Sequence, residues 1–150
     1  MSIEKDIKQT SFKNEHHKAL VNLIFTYNWT TEQLKKIFDK EGLTMQQFNI
    51  LRILRGSDKP LSTLQIRERM LDKMSDTSRI VDRLILKGLA KKLISKTDKR
   101  LVDVSITEKG KKVLKKIDLH ENDIHNIVKS LSDKEAKTFN KLLDKIRQSH

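Results

Sequence analysis

Residues 75–110 read SDTSRIVDRLILKGLAKKLISKTDKRLVDVSITEKG, and a change of period inside this stretch decides the fold. Ser75 is a strong N-cap type, and Ile80, Val81 and Leu84 follow at spacings that set them on one face of a helix. That face is buried, so Ser75, Arg79, Asp82 and Leu86 point the other way, with Ser78 and Arg83 on opposite flanks. Gly88 stands where a glycine just past the end stops a helix. The outward face therefore offers hydroxyl and guanidinium groups, which hydrogen-bond base edges and phosphates; arginine grips guanine through two such bonds.

From Leu89 the period becomes two. Val102, Val104 and Ile106 alternate with Asp103 and Ser105 as in a half-buried strand, with Lys91 to Ile94 as partner across the turn Ser95 to Arg100. The tip carries Lys96, Lys99 and Arg100, cations suited to a phosphate backbone or a narrow minor groove. Asp98, the acid among them, pairs with Arg100 or closes the turn through its own backbone. Each piece alone has a plainer reading, as a solvated helix or as a charged hairpin that resists edge pairing. Their order and spacing favour nucleic acid.

The whole chain agrees with that partner. Its 150 residues hold 32 Lys and Arg against 20 Asp and Glu, a net charge of +12, which favours a polyanion. A membrane surface competes, but no apolar run approaches the roughly 20 residues of a spanning helix. The start, MSIEKDIKQT, lacks a secretory apolar region, so a cytoplasmic location is expected. The absence of Cys excludes a disulfide framework, a Cys-based zinc site and a thiol switch within the chain.

Outward from the central stretch, residues 1–11 are polar and expected to fray. From Phe12 to Glu41, Leu20, Leu23, Ile24, Tyr27, Leu34, Ile37 and Phe38 describe one long helix, or two with a break near Trp29-Thr30-Thr31, ended by Gly42. At ~1.5 Å per residue it is roughly 45 Å long, more than one small domain covers. Thr44 with Gln47 and Ser62 with Gln65 form capping boxes, and Leu43 with Phe48 and Leu61 with Ile66 form hydrophobic staples. Two short helices therefore precede Ser75, and helix, helix, recognition helix and hairpin come in winged helix-turn-helix order, although the first edge strand is not evident. After Thr107, Val113, Leu114, Ile117, Ile124, Ile127 and Val128 restore the helical period, and a third capping box at Ser132 and Glu135 opens a last helix with Phe139, Leu142, Leu143 and Ile146. The expected fold is mainly α with a small β-hairpin wing. A single domain over 1–150 places dimerisation helices at 12–41 and 111–150 around a DNA-binding module at 43–110. A homodimer is favoured over a monomeric bundle, because paired recognition helices read half-sites one DNA turn apart.

The motifs SRIVDRLILKGL (Ser78 to Leu89), DKR (Asp98 to Arg100) and ITEKG (Ile106 to Gly110), with QQFNILRILRG (Gln46 to Gly56) and RERMLDKMSDTSRIVDRL, resemble the MarR family of bacterial winged-helix transcription regulators over most of the chain. The resemblance implies a dimeric repressor or activator on a pseudo-palindromic operator of double-stranded DNA, released or tightened by a small molecule. By position it implies Ser75, Asp76, Ser78 and Arg79 in the major groove, Arg83 on the backbone, and Lys99 and Arg100 at the wing, braced by Asp98. Asp76 stands where relatives carry a small hydroxyl residue; its carboxylate accepts from a cytosine amino group or serves as dipole partner in the first helical turn. Thr77 replaces an apolar residue and reads as packing. A small aromatic effector is expected near Tyr27, Trp29, Met45 and Phe48, residues that at helical spacing also read as core.

No metal or other cofactor is expected. His16 and His17 diverge on a helix, and His120 and His125 lack ligand spacing; with Glu121 and Asp123 they read as a solvated surface, the alternative being a zinc site completed from elsewhere. The chain is not expected to be an enzyme: it has no Gly-rich phosphate loop, nucleophile elbow or HExxH motif. The competing function is a winged-helix interaction module that binds RNA or an acidic protein.

Overall fold

The computed structural model describes residues 1–148, so the last two residues of the expected C-terminal dimerisation region, 149 and 150, lie outside the described residues. The elements follow as α1 (Ile3–Asp6), α2 (Glu15–Phe38), a 3₁₀ turn (Asp39–Glu41), α3 (Met45–Arg55), β1 (Leu61–Ser62), α4 (Thr63–Arg69), α5 (Thr77–Leu86), β2 (Ala90–Ile94), β3 (Val102–Ile106), α6 (Glu108–Asp118), α7 (Glu121–Asn126) and α8 (Asp133–Arg147).

Local chemistry sets most boundaries. All three expected capping boxes form, at Thr44 with Gln47, Ser62 with Gln65 and Ser132 with Glu135. Each satisfies otherwise orphaned amides, and loss of such a cap costs about 1 kcal/mol. At the end of α5, Gly88 takes a left-handed φ of 73°. Its amide donates to the Ile85 carbonyl at 2.9 Å and that of Leu89 to the Leu84 carbonyl at 2.9 Å, the two bonds of a Schellman motif.

The N-terminal expectations need correction. Residues 1–11 do not simply fray: α1 forms, Ile3 is buried, and Glu4 pairs with Lys18 of α2 at 2.5 Å. The long helix begins later than Phe12, where the Asn14 side chain accepts from the His17 amide at 2.9 Å. It spans 24 residues, roughly 36 Å at ~1.5 Å per residue, without a break at Trp29. Thr30 and Thr31 are absorbed because their hydroxyls donate back to the Thr26 and Asn28 carbonyls, both at 2.8 Å. After α6 the chain makes the six-residue α7 and a series of turns in place of one helix running through Val128.

The core is built around α3, which packs on α2, α4, α5, α6 and β3. Ile50 and Leu51 of α3, Ile66 of α4, Leu84 of α5, Val104 of β3 and Leu114 of α6 are fully enclosed there. The sheet is antiparallel with order β1-β3-β2. Its edge strand β1, not evident from sequence, is two residues that pair with Val104 and Asp103; a strand this short leaves no period to read. Because β1 covers only the base of β3, Val102 projects past the body and is 44% exposed, contrary to the core role its alternation implies.

Gly110, in the first turn of α6, is required by space. A Cβ there would stand 2.3 Å from the Leu89 carbonyl oxygen and 2.8 Å from Ile106 Cγ1. Backbone cannot retreat as a flexible side chain would, so Gly110→Ala is expected to cost about 3 kcal/mol. Thermal denaturation should show Tm lower by roughly 10 °C; an unchanged Tm would contradict this packing.

Two amphipathic helices keep apolar stripes uncovered. Leu20, Ile24 and Tyr27 lie at i, i+4, i+7 along α2, and Phe139, Leu142 and Ile146 at i, i+3, i+7 along α8; all six are exposed. Among the described residues, no residue of α8 is buried.

Candidate nucleic-acid interface

α4 and α5 form the helix-turn-helix, and β2 with β3 the wing. The cap of α5 is Asp76, not Ser75: the Asp76 carboxylate accepts from the Arg79 amide at 3.1 Å. Ser75 is instead part of the preceding turn, where its hydroxyl donates to the Asp72 carbonyl at 2.7 Å. Both residue types cap well, and the choice is made one residue on by Thr77, which enters the core and so fixes the phase of the helix. The Asp76 carboxylate thus serves the positive end of α5.

Thr77 is 4% exposed, and among the described residues its hydroxyl has no hydrogen-bond partner. A buried unmet hydroxyl costs about 1–3 kcal/mol. Thr77→Val keeps the shape and removes that group, so it should raise the midpoint of chemical denaturation; a lowered midpoint would mean that the hydroxyl has a partner.

On the outward side of α5, Ser78, Arg79, Asp82, Arg83 and Leu86 are exposed. Asp82 is neutralised by Lys92 of β2, with Nζ 2.6 Å from its carboxylate. The pair ties α5 to the wing, and with Asp76 engaged as the cap, both acids of the outward face are partnered. Between the helices, Thr63, Leu64 and Arg67 of α4 and Ser75 to Ser78 line a depression of about 430 Å³. The reading of the sequence missed Arg67 and Lys92. The RER of Arg67 to Arg69 is the only signal for the first, and nothing local marks the second.

At the wing tip Lys96, Lys99 and Arg100 are exposed. Asp98 accepts from the Arg100 backbone amide at 3.0 Å and from its guanidinium Nε at 3.2 Å. The turn is closed further by the buried Ser95 hydroxyl, which accepts from the Thr97 and Asp98 amides, both at 3.4 Å. The Arg100 guanidinium, with its backbone amide, holds the Asp98 carboxyl below the usual carboxylate range. Arg100 nevertheless keeps its side chain 91% exposed, so it is aimed without being covered.

The residues expected near an effector do not share one cavity. Tyr27 is exposed on α2, and Phe48 stacks on Phe38 with ring centroids 4.2 Å apart. Trp29 borders a depression of about 380 Å³ between α2 and α7, and Met45 another of about 480 Å³ between α2 and α3. Of the histidines, His120 lies 3.0 Å from Asp123 and His125 4.0 Å from Glu121. Among the described residues no three His, Asp or Glu side chains gather as metal ligands, and no helix is long and apolar enough to cross a membrane.

This arrangement matches known proteins. Residues 41–101 match the family model described as MarR family. The HTH-type transcriptional regulator MhqR of Bacillus subtilis is 29% identical over 131 residues, covering 86% of this chain and 89% of that protein. A mutant Escherichia coli MarR, solved in complex with operator DNA, superimposes with TM-score 0.79 at 23% identity, over 91% of this chain and 99% of that one. BpsR of Bordetella bronchiseptica, whose DNA binding is regulated by 6-hydroxynicotinic acid, gives TM-score 0.80 at 18% identity, over 93% of this chain and all of that one. The family match spans the capped α3, the helix-turn-helix and the first strand and turn of the wing, and the relative from Bacillus subtilis extends the similarity along the flanking helices: the chain is similar in sequence to MarR-type transcription regulators and shares their winged-helix fold.

Proposed function

We propose that the chain acts as a homodimer that binds a pseudo-palindromic operator sequence-specifically and responds to a small aromatic molecule. The observation that carries the reading is the outward face of α5, where Ser78 and Arg79 are exposed while Asp76 caps the helix and Asp82 is paired with Lys92. In this reading Ser75, Asp76, Ser78 and Arg79 lie at the major groove, Asp76 contributing through the helix start. Arg83 meets the backbone, and Lys96, Lys99 and Arg100 meet the flanking groove, with Asp98 bracing the wing. Residues 43–110 form the DNA-binding module and 12–41 with 111–150 the dimerisation helices, supported by the uncovered stripes of α2 and α8. The effector proposal draws on BpsR and on a second relative solved with 2,4-dichlorophenol; Trp29 and Met45 border the depressions that would receive such a ring.

Selection from random duplex DNA followed by footprinting tests the core of this reading. Recovery of an inverted repeat, bound with an affinity that falls steeply with salt, is expected. Enrichment of no motif, with nuclease-resistant retention of one protein partner, would replace it with the interaction module.

A further inference from the structure

The turn that leads into α5 carries an apolar side chain with nothing over it. Met74 is 94% exposed, although the polar groups around it are tied down. Its amide donates to Asp72 Oδ1 at 3.0 Å, and the Ser75 amide and hydroxyl donate to the Asp72 carbonyl at 3.4 and 2.7 Å. The backbone on both sides is therefore fixed. Met74 stands two residues before the cap Asp76, next to Ser75, which lines the depression between α4 and α5 together with Ser78.

The start of a recognition helix is the part that meets base edges. In the major groove one base edge is apolar, the C5-methyl group of thymine. A thioether chain is flexible and polarizable enough to settle against it. We propose that Met74 reads thymine through that methyl group and so adds an apolar element of specificity to the polar face of Ser78 and Arg79. The inference rests on the DNA-binding reading above. Leu71 supplies an internal comparison: it is 85% exposed in the same turn, but it lies five residues ahead of the cap, and its amide is held by Asn49 Oδ1 of α3 at 2.9 Å.

Replacing thymine by uracil removes only the methyl group, and it separates this contact from every other one. Wild type, Met74→Ala and Leu71→Ala would be titrated, as full chains, against the selected operator and against copies carrying uracil at one thymine of each half-site in turn. One position is expected at which uracil weakens wild type by roughly fourfold per half-site, the worth of about one buried methyl group. At that position Met74→Ala should be insensitive to the exchange, and Leu71→Ala should respond as wild type does. Three results would overturn the assignment while leaving DNA binding intact: indifference of wild type to every exchange, equal sensitivity in Met74→Ala, or an operator with no fixed thymine. A wild type that prefers no duplex sequence would overturn the DNA-binding reading itself, and this assignment with it.

Discussion

Arg79→Ala is expected to abolish most of the preference for operator over random DNA while sparing much of the non-specific affinity. A bidentate arginine contact to a base is worth about 1–3 kcal/mol of discrimination, and a two-fold dimer uses it twice, so the expected loss is about 2–6 kcal/mol. Arg79 is suited to this role because its backbone amide, not its side chain, is spent on the Asp76 cap. The wing gives the contrasting case: Lys99→Ala should weaken operator and random DNA alike and lower the salt slope by about one per protomer. Fluorescence titrations on both DNAs at several salt concentrations check the pair. Equal losses for Arg79→Ala on both DNAs would show that Arg79 touches only phosphate.

A comparably large effect is expected from a charge placed on α8. Leu142 is 54% exposed in the single chain, in a stripe with Phe139 and Ile146, and Ile24 holds the like place on α2. Contiguous apolar surface of this kind marks an interaction site, and at ~25 cal/mol per Å² its burial against a second copy drives association. Leu142→Asp and Ile24→Asp should each turn a dimer into a monomer in sedimentation velocity, with helical circular dichroism retained because neither side chain is buried in the chain's own core. Operator affinity should then fall by roughly two orders of magnitude or more, since the second half-site is no longer delivered at high effective concentration. A variant that sediments as wild type would remove its helix from the interface.

The three capping boxes, the Gly88 stop, the hairpin of β2 and β3 and the inward turn of Thr77 were all readable, because each is written within a few neighbouring positions. The cap of α5 was misread by one residue: Ser75 and Asp76 are equally good local candidates, and only the burial of Thr77 and the use of the Ser75 hydroxyl by Asp72 separate them. Residues 1–11 were misjudged for a related reason. Their polarity is real, but Ile3 finds cover and Glu4 finds Lys18 in a helix that starts at Glu15.

The candidate site divides in the same way. Ser78, Arg79, Arg83, Lys96, Lys99 and Arg100 could be picked out by helical phase and hairpin position, and the structure exposes all six. The Asp98 link to Arg100 was also foreseen, since two residues of separation within one turn leave little choice. Lys92 facing Asp82, Arg67 beside the start of α5, and the separation of Trp29, Met45 and Phe48 were not foreseen.

The sequence by itself determined the order of the main helices and the hairpin, the three capping boxes and the Gly88 stop, and the chemical face of α5. These follow from backbone periodicity and from hydrogen bonds spanning three or four residues, which act before any distant contact is made. Only the tertiary structure decided that β1 exists, that Val102 leaves the core, that Asp82 is neutralised from the wing, and that the stripes of α2 and α8 stay uncovered. Each of those depends on segments far apart in the chain meeting in one register, and that register is set by packing around α3, not by the residues on either side.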